Sequence, residues 1–117
     1  MNPPDAPDLS LVFREAEADA LEVVLAGALH EGTVAEFREA LEQHQTEGFA
    51  RLILDCRDLK FLSSAGLSAL ILIYQRRKRA GQELILSQVP SEIRKLLKLT
   101  RLDDHFVIIN SPNLPEE

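Results

Sequence analysis

The chain has 117 residues, 45% hydrophobic and 27% charged, which suits one domain with a real core. Its net charge of −6 argues against direct nucleic-acid binding, and its single cysteine, Cys56, excludes an internal disulfide and a cysteine-based zinc cluster. No apolar stretch nears the ~20 residues that span a bilayer. The start Met1-Asn2-Pro3-Pro4-Asp5 has no basic or apolar region of a secretory signal, so no membrane insertion and a cytoplasmic home are expected.

Residues 1–8, with three prolines and two aspartates, read as a disordered lead, and residues 111–117 read as a flexible tail. Residues 9–110 are the expected domain. Leu9 to Glu15 is a predicted strand, Asp19 lies in a turn, and Leu21 to Ala26 is its hairpin partner. Gly27 to Gly32 reads as a loop. Thr33 with Glu36 three residues on matches a capping box. The helix that follows puts Val34, Phe37, Leu41 and His44 on one inner stripe, with Gly48 as its expected end.

Leu52-Ile53-Leu54 is apolar throughout, as a buried central strand should be. Ser63 or Ser64 starts a helix that runs to Arg79 and stops at Gly81. Glu83 to Ser87 is a strand, and Pro90-Ser91 opens a third helix with Ile93, Leu96 and Leu97 inward. Phe106 to Ile109 is the last strand. The order β-β-α-β-α-β-α-β implies an α/β domain: an N-terminal hairpin, then mostly parallel strands in a mixed sheet, with helices packed on it.

The charge is uneven. Residues 1–50 hold 11 acidic and 2 basic residues, and residues 51–117 hold 8 acidic and 11 basic ones. Arg76-Arg77-Lys78-Arg79 dominates the second half. Such a run complements the dipole at a helix end and solvates the last turn; docking of an acidic partner is the alternative.

The junction Phe61-Leu62-Ser63-Ser64-Ala65-Gly66-Leu67 joins strand to helix. Leu67, Leu70, Ile71 and Tyr74 form the stripe expected to face the sheet. Ala65, Ala69, Leu72 and Arg76 fall on the other side, with Ser64 and Ser68 at the border. That outward side is small or apolar near its start and basic only at its end. It fits a modest protein-binding surface, or a face covered by another part of the chain. Ser63 reads as a cap and Ser64 as filler in the first turn. Alternatively a serine here is a phosphorylation site, because free amides and the helix dipole favour added negative charge.

The stretch from Leu52-Ile53-Leu54-Asp55 to Phe61-Leu62-Ser63-Ser64-Ala65-Gly66-Leu67 resembles the signature of STAS domains, specifically the bacterial anti-sigma factor antagonists. Gly27-Ala28-Leu29-His30 with the helix after it, and Leu96 to Phe106, resemble further parts of that family. The resemblance implies partner switching. The antagonist binds an anti-sigma factor that is also a serine kinase with an ATP-binding domain, and phosphorylation separates the pair. A serine phosphatase then restores binding. Aligned through Gly66, the phospho-acceptor is Ser64; Ser63, Ala65, Ser68, Ala69, Leu72, Arg76 and His30 are the expected partner-binding residues.

The chain departs from the family pattern at three positions. Ser63 and His30 stand where acids are usual, and Arg101 stands where a glycine is usual. His30 could pair with a phosphate when protonated, though a plain loop histidine is the simpler reading.

An enzyme is not expected. Residues 62–66 read Leu-Ser-Ser-Ala-Gly instead of Gly-x-Ser-x-Gly, and His30, His44 and His105 offer no base–acid pairing. Nothing clusters at metal-ligand spacing, so neither metal nor cofactor is expected. The other open reading is a STAS interaction module without phosphorylation: a scaffold, or a subunit of a membrane transport complex.

Overall fold

The computed structural model describes residues 8–102 and 106–109. The expected lead and tail lie outside these residues, apart from Asp8, whose carbonyl accepts the Ala28 N–H at 3.3 Å. Five strands lie side by side in chain order: β1 (Leu9–Ala16), β2 (Ala20–Leu29), β3 (Arg51–Leu62), β4 (Glu83–Ser87) and β5 (Val107–Ile109). Three helices connect them: α1 (Val34–Gln43), α2 (Ser64–Arg79) and α3 (Ser91–Leu99). β1 and β2 form the antiparallel hairpin, and every later neighbour is parallel.

Each crossover steps one strand in the same direction, and right-handed crossovers of that kind put all three helices on one face. The core confirms the arrangement. Phe37 and Leu41 of α1, Leu67 and Leu70 of α2, and Ile93 and Leu97 of α3 share one cluster with Leu52, Leu54, Leu84 and Leu86 of the sheet. The alternate positions Arg14, Glu22, Ile53, Ile85 and Val107 register as a row on the other face.

Two strand boundaries move. β2 continues through the expected Gly27–Gly32 loop as far as Leu29, with register shifts on either side of Gly27. Gly27 has φ +104°, and a Cβ there would lie 1.8 Å from the Asp8 carbonyl oxygen. The glycine therefore marks a bulge inside the strand. β3 is also longer than its apolar centre, reaching Leu62 and so delivering the chain directly to α2.

In α1, Phe37 and Leu41 are buried as expected, but His44 is not on the inner stripe. It is the exposed C-cap, its ring stacked on Phe13 at 3.5 Å and 4°, which makes it a structural residue of a different kind. The capping box does not form. The Thr33 hydroxyl turns back to β2, donating to the Ala28 carbonyl at 2.8 Å and accepting the His30 N–H at 3.1 Å. Gly48 does not end α1 either. The helix stops at Gln43, and Gly48 closes a separate 3₁₀ turn, Thr46–Gly48.

The residue after each helix's C-cap adopts the left-handed conformation: Gln45 (φ 52°), Gly81 (φ 73°) and Arg101 (φ 61°). In α2 the Gly81 and Gln82 N–H groups donate back to Lys78 and Arg77, and in α3 Arg101 and Leu102 donate to Lys98 and Leu97. Both are Schellman stops.

The basic run at the end of α2 divides in two. Arg76, Lys78 and Arg79 are exposed. Arg77 is only 4% exposed, which corrects its reading as a solvated or docking cation. Its guanidinium donates to the carbonyls of Glu83 (2.6 Å), Thr46 (3.1 Å) and Phe49 (2.7 Å). It thereby ties α2 to the 3₁₀ turn and to the start of β4. Burial lowers its pKa from the ordinary arginine value.

Candidate functional site

β2 and β3 run parallel, so their C-terminal ends finish side by side, with Leu29 opposite Leu62. The next residues, His30 and Ser63, open the β2–α1 loop and α2. The Leu29 carbonyl accepts the Ser63 N–H at 3.0 Å, pinning one end to the other. A Cβ on Gly66 would lie 2.5 Å from that carbonyl oxygen and 2.8 Å from Leu62 Cδ1. The glycine is thus required by close approach, and it draws the first turn of α2 onto the end of β2.

Ser63 is the N-cap, in extended conformation, and its Oγ accepts the Gly66 N–H at 3.3 Å. With that amide satisfied and Leu67 bonded back to the Ser63 carbonyl, Ser64 and Ala65 carry the two amides with no intrahelical acceptor. The first turn of α2 holds no acidic residue. Ser64 is exposed and its side chain is not the cap. The reading of Ser63 as cap, with Ser64 in the first turn behind it, matches this geometry.

Along α2 the exposed positions Ser64, Ser68, Leu72 and Arg76 follow one another at four-residue spacing. They make a continuous ridge. Leu72 is 50% exposed and supplies an apolar anchor at its middle. The expected outward face is therefore rotated. Ala65 is half-buried, and Ala69 is buried at 4% exposure, which removes it from the docking surface. Ala69 lines the groove of about 750 Å³ between α1 and α2, along with Leu41, Thr46 and Ile73. The serines placed at the border form the crest instead.

His30 sits beside the start of this ridge but is only 8% exposed. Its Nδ1 accepts the Gly32 N–H at 2.9 Å, and its Nε2 is buried without a hydrogen-bond partner. Its ring is tilted 57° to that of Phe61, with centroids 6.3 Å apart. Phe61 is 52% exposed and was not singled out by sequence. The signal was present: it occupies an outward strand position two residues before Ser63.

Other polar groups sit away from this corner. Asp55 is buried at the middle of β3, accepting the Arg57 N–H at 3.0 Å and a Gln88 side-chain N–H at 3.3 Å. Cys56 beside it is buried, and desolvation, aided by the Asp55 charge, pushes its thiol up to about 12. Burial and that shift both disfavour its thiolate form. Glu22 binds Arg14, whose guanidinium the carboxylate bond holds above its ordinary pKa. Among the described residues no group of three or more His, Cys, Asp or Glu could hold a metal ion, and no helix is long and apolar enough to cross a membrane.

Comparison with known proteins places this corner in context. The STAS domain family model matches residues 14–114. An anti-sigma-B factor antagonist from Listeria monocytogenes is 24% identical over 103 residues, covering 88% of this chain and 90% of that protein. An anti-sigma factor antagonist from Mycobacterium paratuberculosis superposes with a TM-score of 0.77 at 20% identity, covering 97% of this chain and 93% of the other. The anti-sigma factor antagonist SpoIIAA is similar in both solved forms. The unphosphorylated form gives a TM-score of 0.68 at 14% identity, covering 87% of this chain and 89% of the other. The phosphorylated Bacillus form gives 0.66 at 15% identity, covering 85% and 90%.

Proposed function

This chain belongs to the STAS domain family, and from that premise we propose that it is an anti-sigma factor antagonist that works by partner switching. It docks an anti-sigma factor through Phe61, Ser63, Ser64 and the α2 ridge of Ser68, Leu72 and Arg76. That partner is also a serine kinase. It transfers the γ-phosphoryl group of ATP to the Ser64 Oγ, releasing ADP and the hydroxyl proton. A serine phosphatase reverses the step. The protein acts as a binding module and not as an enzyme, in the cytoplasm. The antagonist names of its relatives support the reading, as does the existence of SpoIIAA in a phosphorylated form.

One observation carries it: an exposed serine at the first position of a helix whose cap is already supplied by its neighbour. Modification at Ser64 sacrifices no capping bond, and the unpaired amides and dipole tolerate its charge. The fold therefore persists while the docking edge changes from neutral to about −2. A docked surface would be disrupted by repulsion and desolvation.

The test is binding to the cognate anti-sigma factor, measured by calorimetry. Ser64→Asp should weaken it by about a hundredfold or more, while Ser64→Ala binds like wild type and takes no phosphate from ATP. Equal binding by Ser64→Asp and wild type would remove the switch and leave a STAS interaction module without phosphorylation. Phosphate found by mass spectrometry on Ser63 alone would move the acceptor by one residue.

A further inference from the structure

The groove between α1 and α2 holds about 750 Å³, within the ~300–1,000 Å³ typical of small-molecule sites. Leu41, Ala69, Leu72 and Ile73 give it an apolar surface. Arg38 lines it from α1, and Arg76, Arg77 and Arg79 line it from α2. Glu42 and Glu47 are its acidic residues, so four guanidinium groups stand against two carboxylates. This excess of positive charge lies on a chain whose net charge is −6.

The cations lack counter-charges. The ion pairs among the described residues are Arg14–Glu22, Arg51–Glu83 and Arg57–Asp55, and no arginine of the groove takes part. Glu42 does not pair with Arg38, although one helical turn separates them. Arg38, Arg76 and Arg79 are exposed, so water offsets their charge. Arg77 is buried instead. Three of its five N–H groups donate to carbonyls, and the other two have no acceptor among the described residues. Carbonyl dipoles satisfy hydrogen bonds but supply no net negative charge. A buried cation without a counter-charge is costly, and an anion seated in the groove reduces that cost.

The occupant must match both halves of the lining. An inorganic ion would meet the arginines and leave the apolar surface wet. An uncharged chain would cover that surface and leave the cations unmatched. One molecule with an apolar body and an anionic head answers both, and guanidinium forks suit a carboxylate. We propose that the α1–α2 groove binds a small organic anion, its aliphatic body on Leu41, Ala69, Leu72 and Ile73 and its carboxylate head held by Arg38, Arg76 and Arg79. Leu72 and Arg76 also belong to the proposed docking ridge, but the inference does not rest on partner switching, and its test uses the protein alone.

The full chain is titrated with decanoate and followed by calorimetry and by methyl resonances. One decanoate should bind per chain, with saturable shifts at Leu41, Ala69, Leu72 and Ile73. Decanol, which keeps the body and lacks the charge, should bind about tenfold more weakly, and acetate should show no saturable binding. Arg38→Gln combined with Arg79→Gln should weaken decanoate by about tenfold. Glu42→Gln removes a carboxylate from the groove and should tighten binding by about threefold, while Arg94→Gln on α3 should change nothing. All four substituted side chains are exposed, so the variants keep the fold. Decyltrimethylammonium or decanol binding as tightly as decanoate overturns the proposal and leaves a plain apolar patch. So does an unchanged affinity in the double variant, or the absence of saturable shifts at the groove methyls.

Discussion

The two ends of α2 use opposite chemistry for opposite purposes. At its start there is no charge: a serine cap, an exposed serine, an alanine and a glycine pressed onto the Leu29 carbonyl. At its end there are four consecutive cations. Charge usually marks a functional surface, yet here the most deeply placed cation, Arg77, is a structural tie and the uncharged end is the candidate switch. The difference follows from what each end must satisfy. The C-terminal end lies beside a 3₁₀ turn and a strand start whose carbonyls need donors, and one guanidinium serves three of them. On the proposed function, the N-terminal end must stay open to a partner while keeping the helix capped.

The largest way to break this contrast is Arg77→Leu. Three carbonyls lose their donor at once, and a buried or partly buried acceptor left unmet costs about 1–3 kcal/mol before water compensates. A total loss of about 3 kcal/mol is expected by urea denaturation, with Arg76→Leu and Arg79→Leu each within about 0.5 kcal/mol because their heads are exposed. If all three substitutions cost the same, Arg77 is an ordinary surface cation and the contrast fails.

Gly66→Ala tests the other end. A methyl group there would overlap the Leu29 carbonyl, so the start of α2 must lift away from β2. Relief of overlap by a backbone shift costs about 1–3 kcal/mol, offset by the better helix propensity of alanine, leaving a loss of about 2 kcal/mol. Partner binding should fall further than stability, because the Ser64 hydroxyl moves with the turn. Unchanged stability and binding would mean that the contact yields freely.

How much of this was legible in the sequence depended on whether the signal was local. The strands, the helices and their order followed from apolar periodicity, and Ser63 as the cap followed from its place before an apolar run. Ser64 was identified by a resemblance through Gly66 that fold and family bear out, although its modification is a proposal. Arg77 was misread because its partners, Thr46, Phe49 and Glu83, are distant or follow the helix end, and a cation run looks alike whether one member is buried or none is. Ala69 was placed outward because helical angles do not reveal that α1 packs beside α2. By sequence Gly27 opens a loop and Gly48 ends α1, yet one is a bulge inside β2 and the other closes a 3₁₀ turn. His30 was visible as a departure from the family, but its unmet Nε2 required coordinates.

Ser63→Ala separates capping from switching. Loss of the Oγ contact to the Gly66 N–H should cost about 1 kcal/mol in thermal or urea unfolding. Phosphorylation of Ser64 should continue in this variant, since the acceptor hydroxyl is untouched. A variant that loses phosphorylation with full stability would instead place Ser63 in the acceptor role.

The smallest effect concerns how helices stop. Gly81 ends α2 and Arg101 ends α3 in the same left-handed conformation, with matching pairs of return bonds. Glycine adopts it freely, whereas an arginine Cβ crowds the following carbonyl at a cost of about 1–2 kcal/mol. Arg101→Gly should therefore relieve strain in the folded state. It also loosens the unfolded chain, which returns about 0.4–1 kcal/mol of that gain. A net stabilisation of about 0.5 kcal/mol is expected, and Gly81→Arg should destabilise by a similar or larger amount. A Cβ at Gly81 meets no atom within 4 Å, so the loss comes from the backbone angle and not from crowding at the Cβ. If Arg101→Gly destabilises instead, the arginine side chain contributes a contact that outweighs its strained backbone.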